Sequence, residues 1–219
     1  MIFANRFEAG RGLAWRLENY AHPDDVLVLG IPRGGVPVAF EVAQALHAPL
    51  DVFLLRKLGV PGHEEFAFGA IASGGVRVVA RQTLRALLIS PAVVDAVTAH
   101  EQQELQRREI AYRGDRPLLP VTAKTVILVD DGIATGASLL AGIHALRELR
   151  PAKIVVAVPV APPQAVERRA YEVDEIVCVA TPEDFQAVGR FYDDFSQTSD
   201  EEVIALLATN RKMLVTKAA

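Results

Sequence analysis

The chain has 219 residues, 51% hydrophobic and 23% charged, with a formal net charge of −4 and a pI near 5.8. This is the composition of an ordinary globular protein, long enough for one domain around a single large core. The acidic balance argues against a nucleic-acid binder that neutralises many phosphates with a broad basic face, and no segment reaches the ~18 apolar residues of a membrane span.

Read in chain order, residues 1–16 carry Arg6, Glu8, Arg11 and Arg16 and lack the apolar stretch of a signal peptide, so a cytoplasmic location is expected. Apolar runs at 26–31, 50–55, 125–129, 154–160 and 175–179 are rich in Val, Ile and Leu and read as strands buried on both faces. Segments of helical periodicity at 36–46, 138–149 and 163–171 alternate with them. The pattern predicts an α/β fold, a doubly wound and mainly parallel five-stranded sheet flanked by helices, in a single domain over 1–219. An insertion at about 69–115 interrupts it, with a hairpin at 70–80 around Ser73, Gly74 and Gly75 and a charged, solvated helix at 91–113. Residues 181–199 are irregular but hold Phe185, Phe191, Tyr192 and Phe195, which need a surface to pack on. Cys178, the one cysteine, excludes an internal disulfide and a cysteine metal site, and its apolar flanks make it a core side chain.

The strongest chemical signal lies at 126–138. An apolar strand ends in Asp130 and Asp131, and the turn after it, with Gly132, Ala134, Thr135, Gly136, Ala137 and Ser138, opens a helix. Backbone N–H groups and hydroxyls converging at a helix N-terminus make an anion cradle. The acids, expected to face solvent, suit vicinal hydroxyls or a hydrated magnesium ion. An N-capped turn without a ligand would explain Thr135 or Ser138, but not two adjacent acids at the end of a buried strand. No Lys follows the last glycine, so this is not a Walker A loop.

A second strand-turn-helix unit places Arg33, Gly34 and Gly35 after the strand at 26–31, an anion site with a guanidinium in the turn. After the strand at 50–55, Arg56 and Lys57 precede Gly59, Pro61 and Gly62, which predict a mobile loop over 58–66. The bland alternative for the basic pair is a solvated surface.

The segment 126–138 resembles the fingerprint of type I phosphoribosyltransferases: a hydrophobic strand, two acids and a Thr-Gly-Ser-type loop. Over about residues 6–207 the chain looks most like a bacterial group of this family with no assigned acceptor, rather than the adenine, orotate, hypoxanthine or uracil enzymes. The resemblance implies that Asp130 and Asp131 contact ribose hydroxyls and that residues 134–138 hold the 5′-phosphate of phosphoribosyl pyrophosphate. It gives Arg33, Gly34 and Gly35 the pyrophosphate, and it places Arg56 and Lys57 beside the leaving group under a closing loop. Magnesium would be held mainly by the substrate, through water to Asp130 or Asp131. Asp131 is the candidate general base by position and Glu64 the next, and Phe185, Phe191 and Tyr192 are candidates for a hood over the base. A homodimer is implied by the family.

Two alternatives stay open at this level: a non-catalytic sensor of phosphoribosyl pyrophosphate or a nucleotide on the same fold, and a phosphohydrolase or amidotransferase-related domain. The last would need an N-terminal nucleophile or a second metal-ligand cluster, and the sequence offers neither.

Overall fold

The computed structural model describes residues 2–21, 24–134, 136–169 and 172–218, apart from the side chains of residues 64, 65, 137, 138, 169, 217 and 218. In chain order it contains α1 (Arg6–Arg16), β1 (Val26–Gly30), α2 (Gly35–Leu46), β2 (Leu50–Val52), β3 (Leu55–Val60), β4 (His63–Ala72), β5 (Val76–Val79), α3 (Arg81–Ala86), α4 (Pro91–Arg113), β6 (Thr125–Val129), α5 (Ala137–Glu148), β7 (Lys153–Val160), α6 (Pro163–Arg169), β8 (Glu175–Ala180) and α7 (Asp200–Ala218).

Five strands form one sheet in the order β2-β1-β6-β7-β8, and every neighbouring pair is parallel. Strand side chains alternate between faces, so the apolar runs divide into two cores. Val26, Val28, Ile127, Val129, Val155 and Ala157 pack with Leu13, Val38, Val42 and Val203 of α1, α2 and α7. Leu27, Leu29, Val126, Leu128, Ile154 and Val156 face the other way, with Leu139, Ile143 and Ala165 of α5 and α6. Burial on both faces explains why these strands read as continuous apolar runs rather than as alternation.

A second sheet is antiparallel, in the order β3-β4-β5. The hairpin expected at 70–80 is there, but the segment expected as an irregular loop over 58–66 is also strand: Val60 pairs with His63 across a turn of Pro61 and Gly62. Proline fixes φ for the first turn position and Gly62, at φ +80°, takes the left-handed second one. Glycine and charge in 56–65 hid the strand, because only one side of this sheet is deeply covered.

Two helices escape periodicity. The buried face of α1 is Ala9, Gly10, Leu13 and Ala14, and Gly10 allows close approach to α2, where an added Cβ would lie 2.8 Å from the Val38 carbonyl. Helix α7 buries little beyond Val203, Leu207 and Asn210. The charged helix α4 is less solvated than its sequence implies. Arg113 at its end is 4% exposed and reaches Asp51 (2.8 Å), Glu109 (3.0 Å), the Val52 carbonyl (2.5 Å) and Ser73 Oγ (3.2 Å). This buried cluster pins α4 to the edge strand β2 and to the β4–β5 turn. Among the described residues no helix is long and apolar enough to cross a membrane.

Candidate active site

The strand order reverses between β1, whose chain continues outward to β2, and β6, which begins the other half of the sheet. Turns leaving two adjacent parallel strands toward opposite sides open a crevice at their carboxyl ends. Gly30 is in register with Val129, so the turn after β1 and the turn after β6 start side by side. Each feeds a helix, α2 at Gly35 and α5 at Ala137, and two helix N-termini therefore face one crevice.

The β1 turn is held by bonds from Gly35 N to Ile31 O (3.0 Å) and from Val36 N to Arg33 O (3.1 Å), and the Pro32–Arg33 peptide is cis. Its glycines are required by closeness. A Cβ on Gly34 would lie 2.1 Å from Asp131 Oδ2, and one on Gly35 would lie 2.7 Å from the Val129 carbonyl and 2.9 Å from Asp130 Cα. Arg33 extends to Asp200 at the start of α7 (3.8 Å), and Tyr112 of α4 donates to the same carboxylate at 2.6 Å. Burial and that neighbouring carboxylate push the Tyr112 phenol up to about 12.

Asp130 and Asp131 stand where β6 ends. They are part-buried rather than fully solvent-facing as the sequence suggests, because the β1 turn and Arg6 crowd Asp131 and Tyr192 packs on its backbone. Asp130 Oδ1 accepts from Asp131 N at 2.9 Å. Burial pushes the Asp130 carboxyl well above the ordinary range, and the charge of Asp131 adds to the effect. Burial also raises Asp131, against the pull of Arg6. The turn continues through Gly132 and Ala134 to Gly136, which has φ +70° and precedes α5. Thr135 and the side chains of Ala137 and Ser138 lie outside the described residues.

The residue sequence reasoning missed is Arg6. Its Nε and Nη2 both sit 2.9 Å from Asp131 Oδ2, its Nη1 donates to the Ser196 carbonyl at 2.7 Å, and its guanidinium lies 4.0 Å from the Phe195 ring centroid. A separation of 125 residues leaves no local signal for this pairing.

The irregular segment after β8 packs onto the N-terminus. Phe3 N donates to Phe191 O, Asp193 N to Phe3 O and Asp194 N to Ala4 O. Tyr192 is buried between Phe3 (5.6 Å) and Phe195 (5.0 Å), with its hydroxyl donating to the Asp131 carbonyl at 2.6 Å. Both neighbours cover the ring, so Tyr192 packs into the core, the other of the two roles open to this aromatic segment besides a hood. Phe185 and Phe191 are part-buried and stack on each other at 5.5 Å, so they too serve the small core formed with Val160.

A family model for the phosphoribosyl transferase domain matches residues 2–196, most of the chain. The chain belongs to the phosphoribosyltransferase family. Two Mycobacterium tuberculosis proteins named "Putative phosphoribosyl transferase", MT0597 and Rv0571c, are each 50% identical over 206 residues, 94% of this chain. The chain spans about half the length of these curated relatives, 46%. Among solved structures, TT1426 from Thermus thermophilus shares 42% identity and a TM-score of 0.85 over 95% of this chain and 99% of its own. The family match ends at residue 196, so α7 and its Asp200 contact to Arg33 lie beyond the matched residues.

The basic pair lies on β3. Arg56 is bound to Glu101 of α4 at 2.6 Å, and Lys57 is exposed. Both line a groove of about 750 Å3 between β3 and α4, with His100, Glu101 and Val97 on its other wall. The side chain of Glu64, the second candidate base, lies outside the described residues. Cys178 is part-buried beside the Ala180 carbonyl, and burial raises its thiol, as suits a structural cysteine.

Proposed function

We propose that the chain transfers the 5-phosphoribosyl group of phosphoribosyl pyrophosphate to a nitrogen nucleophile, releasing pyrophosphate, with magnesium as cofactor. The observation that supports this reading most is the contact between the two turns, with Gly34 so close to Asp131 that no side chain fits between them. An acid pair touching a glycine-arginine anion turn suits a ligand that presents sugar hydroxyls beside a pyrophosphate.

In this reading Asp130 and Asp131 take the ribose hydroxyls, residues 134–138 at the N-terminus of α5 take the 5′-phosphate, and Arg33, Gly34 and Gly35 take the pyrophosphate. Breaking the anomeric bond puts positive charge on the sugar and negative charge on the leaving group, so fixed charges of the right sign on each side lower the barrier. The acids serve the sugar side, and Arg33 with Arg56 and Lys57 serves the leaving group. Asp131, gripped by Arg6 on one carboxylate oxygen, is assigned the acceptor's proton. Among the described residues no three His, Cys, Asp or Glu side chains gather as metal ligands. Two adjacent carboxyls at the end of β6, of which Asp130 has no cation bound among the described residues, fit a cation carried mainly by the substrate's oxygens and reached through water. Bound in that way, magnesium would neutralise the departing pyrophosphate.

The test is incubation with phosphoribosyl pyrophosphate, magnesium and a panel of purine, pyrimidine and smaller nitrogen bases, following pyrophosphate release, with calorimetry of the sugar ligand alongside. Release with one base supports transfer. Tight binding without release on any base would favour a sensor, and no binding would overturn the site.

A further inference from the structure

Arg6 is the one cation bound directly to the acid pair, among the described residues, and it comes from neither of the two turns. It sits on the first turn of α1, where Asn5 caps the helix by accepting from Glu8 N at 3.0 Å. Its side chain is 11% exposed, and the guanidinium is held at four points: two nitrogens on Asp131 Oδ2, one on the Ser196 carbonyl, and the flat face on Phe195. A Cβ on Gly34 would also approach Arg6 Nε to 3.1 Å, so the pyrophosphate turn bounds the same space. The planar fork thus joins three pieces of chain far apart in sequence at one carboxylate oxygen. A guanidinium so fixed has few rotamers left to lose, and it dictates the direction in which its partner carboxylate points.

We propose that Arg6 is a positioning residue for the transfer reaction: it orients Asp131 toward the sugar and ties that orientation to the seating of residues 191–198. The claim rests on the sugar-phosphate reading of the site. It differs from a purely structural role of Arg6 in one respect, that its effect on ligand binding must pass through the Asp131 carboxylate. Tyr192, bonded to the Asp131 backbone carbonyl, holds the main chain at the same residue, so the side chain is the part left for Arg6 to set.

The experiment is a double-mutant cycle read by calorimetry with ribose 5-phosphate, with thermal melting to establish that each variant is folded. Arg6→Ala should weaken ribose 5-phosphate binding roughly 10- to 100-fold in the parent background. In an Asp131→Asn background the same change should matter less than about threefold, because the partner it orients has gone. Arg6→Lys keeps the charge without the fork and should bind between parent and Arg6→Ala. Equal losses in both backgrounds would show that Arg6 only braces α1 and would overturn the proposal, as would unchanged binding by a folded Arg6→Ala. Failure of the parent itself to bind ribose 5-phosphate would instead remove the sugar-phosphate reading, and the proposal with it.

Discussion

Replacing Gly34 by alanine adds a single methyl group, and the structure indicates where it goes. Gly34 has φ −61° and ψ −31°, ordinary right-handed values open to any residue, so the substitution brings no backbone penalty. The new carbon would stand 2.1 Å from Asp131 Oδ2 and 2.9 Å from its Cγ. To reach an ordinary contact distance the carboxylate must retreat by roughly 1 Å or more. That movement disrupts the paired 2.9 Å contacts to Arg6 on the same oxygen. Loss of one charge-assisted hydrogen bond is worth about 1.5 to 3 kcal/mol, or roughly 10- to 100-fold in affinity for a ribose 5-phosphate ligand. A displacement of this size at a reacting centre lowers turnover on the order of 10²-fold. Calorimetry with ribose 5-phosphate and with phosphoribosyl pyrophosphate plus magnesium measures the first, and pyrophosphate release the second. Gly12→Ala is the matched control. Gly12 lies within α1 with no atom within 4 Å of its would-be Cβ, so alanine there should stabilise the helix by about 0.5 to 1 kcal/mol without touching the ligand. A Gly34→Ala protein that binds both ligands as tightly as the parent would refute the argued contact between the pyrophosphate turn and the acid pair.

Asp130→Asn should bind the sugar ligand more weakly yet melt at a higher temperature near neutral pH, because burial holds the native carboxyl well above the ordinary carboxylate range. A raised acid binds more protons folded than unfolded, so it lowers stability as pH rises from about 4 up to its native pKa. The melting advantage of the variant should therefore vanish at about pH 4 and grow above it, and a constant difference at every pH would contradict the burial argument. Arg113→Ala leaves Asp51 buried and unpaired and should cost about 3 to 5 kcal/mol, a fall in Tm on the order of 10 °C. A change of under 1 °C would mean that α4 is held by apolar packing alone. Lys57→Ala, altering an exposed residue of β3, should lower kcat more than it raises KM once an acceptor is found, since its charge matters chiefly as the pyrophosphate leaves. A fully active variant would return Lys57 to the solvated surface.

The parallel sheet was legible from sequence because its strands are buried on both faces, and a run such as Val126 to Val129 has no other soluble use. The acid pair and the glycine turns were legible for a related reason. Each is a departure from apolar packing at the end of a buried strand, and the chemistry of strand, turn and helix N-terminus is written in neighbouring residues. Local signals fail where a side chain's meaning depends on a distant partner. The strand character of β3 was hidden because Gly59 and the Pro61-Gly62 turn that follows it have the same composition whether they form a loop or a tight hairpin. Arg113 read as one more charge on a solvated helix until Asp51 was set beside it. The sequence alone determined the family fingerprint, the α/β architecture and the two turns, since these rest on contiguous residues. Tertiary structure decided that the turns touch, that the acids are part-buried rather than fully open to solvent, that Tyr192 is packed, and that Arg6 pairs with Asp131 across 125 residues. Enclosure and charge pairing are properties of the space between elements, and no stretch of chain encodes that space by itself.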